Sequence, residues 1–142
     1  MPDRLAVVVV LVFVGLSALH FYWALGGQAG KVAAVPELNS RPAFVPSARS
    51  TLAVAVGLAF CATLVAASAG LILWSATPPW VTWLAFLLAS ALVARAVGDF
   101  RLVGFFKRVH GTRFARLDST VYAPLCLVLG VAVFYVAVGH RA

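Results

Sequence analysis

The sequence predicts an all-α protein, a four-helix transmembrane bundle with a cytoplasmic amphipathic segment between helices 3 and 4. Three observations carry this. Four long apolar runs are separated by polar, proline-rich or glycine-rich breaks. The chain is 63% hydrophobic and 11% charged, whereas a soluble domain carries about a quarter charged residues. So apolar a chain has too little polar surface to cover itself in water, and a bilayer is its natural solvent. Finally, the cations gather on alternate loops, the bias expected of loops on the cytoplasmic side of a membrane. That bias accounts for the net charge of +7 better than a nucleic-acid surface does. A length of 142 residues suits a single domain, 1–142.

The first span is expected over 5–25. About 20 apolar residues cross a hydrocarbon core, and this run holds no charge before His20. A signal peptide is the rival reading, but the run is long for one and its best cleavage-like site follows the bulky Trp23. A loop follows, broken by Gly26, Gly27, Gly30, Pro36, Pro42 and Pro46 and carrying Lys31, Arg41 and Arg49. The second span is expected over 50–76. Ala55, Ala59, Ala62, Ala66 and Ala69 recur at three- and four-residue steps and line one face, which allows close backbone approach. This predicts the central packing helix. Thr77-Pro78-Pro79 ends the run in a tight turn, because proline lacks a donor and fixes φ. The third span is expected over 80–98. Trp23, Trp74, Trp80 and Trp83 read as interfacial belt residues.

From Asp99 to Asp118 the chain turns basic. On a helical wheel Leu102, Val103, Phe105, Phe106 and Val109 form one arc and Arg101, Lys107 and Arg108 the other, the pattern of a helix lying in the membrane interface. Arg101, Lys107, Arg108, Arg113 and Arg116 are therefore the candidate contacts to anionic lipid. The fourth span is expected over 119–138, with Asp118 as its N-cap and Pro124 bending it or confining the preceding turn. Nine of the eleven cations lie on loops one and three or at Arg95, against Arg4 and Arg141 on the other side. This orientation puts both termini outside and the long loops in the cytoplasm.

In that topology His20, Tyr22, Trp23, Arg49, Arg95, Asp99, Asp118 and Tyr122 all fall at the cytoplasmic helix ends. Ionisable groups near or within a bilayer are costly unless paired or wet, so they make the default site hypothesis. Together they predict one polar cup above a dry bundle. His20 and Asp99 are the candidate acid–base pair, and Tyr22, Trp23, Arg49, Arg95, Asp118 and Tyr122 the candidate ligand contacts. Each has a plainer reading. His20 also suits a satisfied interfacial histidine. Arg95 and Asp99, four apart, suit a structural ion pair, with Arg49 or Arg101 as other partners for Asp99.

Metal and cofactor chemistry find little support. His20, His110 and His140 are widely separated, and no Cys/His spacing makes a zinc or haem site. There is no Walker loop, dinucleotide glycine motif or nucleophile elbow, so no cofactor is expected. Cys61 and Cys126 lie at different depths in apolar runs and read as small hydrophobes.

Three segments carry a resemblance. They are His20-Phe-Tyr22-Trp23-Ala-Leu-Gly26-Gly27 with the later Pro36, Arg95-Ala-Val-Gly98-Asp99-Phe-Arg101-Leu-Val-Gly104-Phe-Phe106-Lys107, and Phe114-Ala-Arg-Leu-Asp118-Ser-Thr-Val-Tyr122-Ala-Pro124-Leu-Cys126. Together they resemble domain-of-unknown-function family 3995, small bacterial four-helix membrane proteins, over most of the chain. The resemblance implies a bacterial inner membrane and no particular activity.

Three functional classes remain. The first is a non-catalytic accessory or ligand- or lipid-binding membrane protein, with the bilayer, anionic lipids and a membrane protein partner or second copy as its contacts. The second is an acid–base enzyme, isomerase-like, on a lipid-soluble substrate, with His20 as the acid–base group, Asp99 or Asp118 orienting it, and Arg95 or Arg49 binding an anionic group. The third is an oligomeric small-solute transporter or channel, since four helices alone make a poor conduit.

Overall fold

The structure is a computed structural model that describes residues 2–39, 41–72 and 77–139. Trp74, His140 and Arg141 therefore lie outside the described residues. The main elements are α1 (Pro2–Ala24), α2 (Ala48–Ser68), α3 (Pro79–Val97), α4 (Arg113–Leu117) and α5 (Ala123–Gly139). A π-helical turn, Asp118–Tyr122, joins α4 to α5, so Arg113–Gly139 is one continuous helix of 27 residues. α1, α2, α3 and this last helix are all long and apolar enough to cross a membrane.

Helix α1 packs chiefly on α2 and α3 chiefly on α5, while α1 against α5 joins the two pairs. Val9, Phe13, Ala62, Val65, Ala85, Ala89, Leu129 and Val133 form the shared core. Ala55, Ala62, Ala66 and Ala69 of the small-residue face are buried. Close approach lets the Ser17 hydroxyl donate to the Ala55 carbonyl across the α1–α2 contact at 2.8 Å. Large apolar residues such as Leu11, Trp83, Leu87, Val128 and Phe134 point outward, as they do where the surrounding solvent is lipid.

Three expectations are corrected. The second helix ends at Ser68 rather than near residue 76. Gly70 adopts φ +65°, and Gly70 N–H and Leu71 N–H bond back to the Ala67 and Ala66 carbonyls at 3.1 and 2.9 Å. That pattern is a glycine-terminated helix end. The fourth helix begins at Arg113, capped by Thr112, whose hydroxyl accepts from Ala115 N–H at 3.0 Å. Asp118 lies within that helix and is not its N-cap. Pro124 has no N–H to give, and its ring crowds the carbonyl four residues back. The turn before it widens, and Ala123 N–H bonds to the Asp118 carbonyl instead.

The third correction concerns 98–112, which contains no helix. Gly98, Gly104 and Gly111 have φ of +99°, +85° and +85°, and Phe100 has φ +59°. None of these fits a right-handed helix. Asp99 Oδ1 also accepts from the N–H groups of Arg101, Leu102 and Val103 at 2.9, 2.7 and 3.0 Å. A short carboxylate that captures the following amides offers the backbone an alternative to helix.

Loop one is folded back over the helix ends. It holds a 3-10 turn (Lys31–Ala34) and a two-residue hairpin that pairs Glu37 with Pro42 and Leu38 with Arg41. Trp23 Nε1–H donates to the Ala29 carbonyl at 2.7 Å, and Tyr122 O–H donates to the Ala33 carbonyl at 3.1 Å. These bonds fasten the loop to α1 and to the π turn.

Candidate functional site

The expected single cup is divided into two clusters, a charged knot beneath loop three and a cavity beneath loop one.

The knot centres on Asp118, whose side chain is fully buried. The π turn places it beside α3, where Asp118 Oδ1 accepts from Arg95 Nη2 at 2.8 Å. Its Oδ2 accepts from Gly104 N–H at 2.6 Å and from Lys107 Nζ at 3.2 Å. Lys107, also buried, donates further to the Gly104 carbonyl at 2.9 Å and to Ser119 Oγ at 2.6 Å. An ammonium has three hydrogens, and all three are used. Gly98 and Gly104 make the crossing possible. A Cβ on Gly98 would run into the Val103 backbone, and one on Gly104 into the backbone of Val97 and Gly98.

Two sequence expectations change here. Arg95 pairs with Asp118, whereas Asp99 spends its carboxylate on loop amides. Lys107 sits inside the knot rather than at a lipid surface. The amides around Asp99, Val103 foremost, hold its carboxyl below the usual range. Arg95 Nη1 is buried without a hydrogen-bond partner among the described residues, so two cations share one buried anion.

The cavity, of about 210 Å³, lies between α1, α2 and loop one. Its position follows from two stripes. Val9, Phe13, Leu16, His20 and Trp23 step by four and three along α1, and Thr51, Val54, Leu58, Cys61 and Val65 step by three and four along α2. Residues so spaced share a helix face. The lower members fill the core. His20, Trp23, Thr51 and Val54 line the cavity, with Lys31, Val35, Phe44 and Ser50 among the remaining walls. The cavity is thus the loop-end continuation of the core seam, with loop one forming one of its walls.

His20 Nδ1 lies 2.8 Å from the Leu16 carbonyl. A carbonyl only accepts, so Nδ1 is the donor in this contact, and in a neutral ring the lone pair would then lie on Nε2. The ring meets Trp23 edge-on, with centroids 4.9 Å apart. The partner on Nδ1 is a carbonyl rather than a carboxylate, and Asp99 and Asp118 have other hydrogen-bond partners. The proposed His20–Asp orientation is not made.

The other expected residues divide between these regions. Trp23 is buried in the cavity wall, whereas Tyr22 is exposed, packed under Gly27. Arg49 is exposed in the first turn of α2 and outside the cavity lining. Tyr122 links the two clusters, touching Phe114 on one side and holding loop one on the other. Arg101, Arg108, Arg113 and Arg116 are exposed. Lys31, Ser50 and Thr51 were missed as cavity residues, although the stripe leading to Thr51 was readable. Among the described residues no group of three or more His, Cys, Asp or Glu is placed to hold a metal.

A bundle of four apolar helices with polar groups gathered at one end fits an integral membrane protein. The family described as "Protein of unknown function (DUF3995)" matches residues 13–133, and the chain belongs to it. No curated protein and no solved structure matches the chain.

Proposed function

We propose that this is a non-catalytic membrane protein that holds a small amphipathic, lipid-soluble molecule in the cavity beneath loop one. The observation that carries this is the cavity's place at the end of the core seam. Its walls are apolar, and the polar groups at hand are few: His20, Lys31, Ser50 and Thr51. A mostly apolar pocket with a small number of convergent polar groups is the usual form of a small-molecule site. Lys31 suits an anionic or strongly accepting head group, and His20 Nε2 suits a donor. The knot supports the same reading from the other side, because its hydrogen bonds are largely consumed internally.

In this reading the long loops face the cytoplasm of a bacterial inner membrane, supported by the cation bias. The acid–base alternative keeps one support, the Nδ1 contact to the Leu16 carbonyl, which in a neutral His20 would leave Nε2 as the acceptor.

Native mass spectrometry of the protein gently extracted from its own membrane tests the proposal. The expected result is one small apolar molecule per chain, lost in Val54→Phe, which fills the cavity without touching the knot. The melting temperature of that variant should stay close to the parent's. Retention of the molecule by Val54→Phe would place it elsewhere. A second polypeptide at fixed stoichiometry, with no small molecule, would favour an accessory subunit instead.

A further inference from the structure

Loop three is tied down by its own hydrogen bonds, and what it exposes is apolar and basic. Its base is locked at several points. Phe105 N–H bonds to the Ala96 carbonyl at 2.8 Å, and Arg108 and Val109 N–H bond to the Arg101 carbonyl at 3.1 and 3.0 Å. Lys107 anchors the middle in the knot, and Asp99 gathers three amides. Against this fixed frame Phe100 and Phe106 stand out, 57% and 63% exposed. Their ring centroids lie 6.3 Å apart.

Phe100 is the informative residue. Its φ of +59° is a left-handed conformation that glycine adopts freely and a phenylalanine adopts only with strain. Folding gains little from an exposed ring held at such a position, so the ring's use lies in what it meets outside the chain. The surroundings name that partner. The loop joins the end of α3 to the start of α4, at the boundary where membrane-crossing helices leave the apolar layer. Exposed Arg101 follows Phe100 directly and exposed Arg108 lies two residues after Phe106, their backbones joined by the Arg108 N–H bond to the Arg101 carbonyl, while the nearby Asp99 is turned onto backbone amides. Aromatic rings beside arginines complement an interface of acyl chains and anionic head groups.

We infer that Phe100 and Phe106, flanked by Arg101 and Arg108, form a preorganised wedge that seats in the head-group region of an anionic leaflet. This inference concerns a different surface from the cavity and does not depend on it.

The test titrates the full-length chain in detergent with phosphatidylglycerol and, separately, phosphatidylcholine, and counts retained lipids by native mass spectrometry. The parent should prefer phosphatidylglycerol. Arg101→Gln with Arg108→Gln should lower that preference by up to about thirtyfold, since each cation near an anionic surface contributes about fivefold. Phe100→Gly relieves the backbone strain, so its melting temperature should equal or exceed the parent's while retention of both lipids falls. Parental lipid retention in Phe100→Gly and in the double arginine variant, each folded, would overturn the inference. So would equal retention of the two lipids by the parent. Loss of a co-extracted polypeptide in Phe100→Gly, with lipid retention unchanged, would assign the surface to a protein partner and reject the leaflet.

Discussion

The knot and the cavity sit at the same end of the bundle and are joined through Tyr122, yet their chemistry is opposite. In the knot, one fully buried carboxylate receives a guanidinium, an ammonium and a backbone amide. In the cavity, a histidine and a lysine border about 210 Å³ of largely apolar space. The difference teaches where to look for function. Charged residues near a bilayer are the first candidates for a site, but charges that satisfy one another have little left for a ligand. The knot fixes the path of loop three. In the cavity wall Ser50 and Thr51 donate to the Ser47 carbonyl and His20 Nδ1 to that of Leu16, so the hydrogen bonds there run to backbone and not between charges.

The strongest way to break the comparison is to remove the centre of the knot. Asp118→Ala leaves Lys107 buried and Arg95 partly buried, both without their anion. Uncompensated buried charge costs about 3–5 kcal/mol. Thermal unfolding in detergent should show a large loss of stability, and hydrogen exchange should rise across 98–112. A variant with the parent's melting temperature would mean that the knot does not hold the fold.

Gly104→Ala should come next. It adds a methyl group where loop three crosses the end of α3 and asks a non-glycine residue to hold φ +85°. Strained backbone positions cost of order 1–3 kcal/mol, and the displaced amide would also lose Asp118 Oδ2. The same unfolding measurement checks it, with loop-three protection falling more than protection of α1 or α2.

The smallest effect is a pH dependence at Asp99. Its carboxyl is held below the usual range when folded. Its support for the loop is therefore fully present above the unfolded carboxylate pKa of about 4. It is lost as pH falls through the lower folded value. Hydrogen exchange at the Val103 amide should accelerate across that window in the parent, and Asp99→Asn should remove the pH dependence. An unchanged profile would mean that the Asp99 turn is not what orders residues 100–103.

Much of the fold was legible in the sequence. Helix number and class follow from long apolar runs, because helices and closed barrels alone satisfy the backbone in lipid, and runs of about 20 apolar residues fit the helix and not the shorter barrel strand. The prolyl start of α3 was readable because Pro78 and Pro79 act locally. The boundaries were less so. Gly70 ends α2 early, and the hydropathy pattern past it says nothing of a left-handed glycine. The helical-wheel pattern of 100–109 misled for the same reason. It counts apolar faces, whereas Gly98, Gly104 and the Asp99 carboxylate act on individual dihedrals and amides.

The sequence by itself determined the solvent and the scaffold: apolar helices suited to a bilayer, with the ionisable residues gathered at one end. It also carried the family resemblance that the match over residues 13–133 bears out. Only the tertiary structure decided which of those residues belong together. Asp118 reads locally as a helix cap, and Lys107 as one more surface cation. They become one buried pair because two glycines let loop three cross the end of α3, and a proline widens the turn that aims the carboxylate. The cavity likewise depends on loop one folding back onto Trp23 and Tyr122. Apolar periodicity is written along the chain and survives in any arrangement. Pairings between residues of different segments depend on where two distant backbones cross, and that is a property of the folded chain alone.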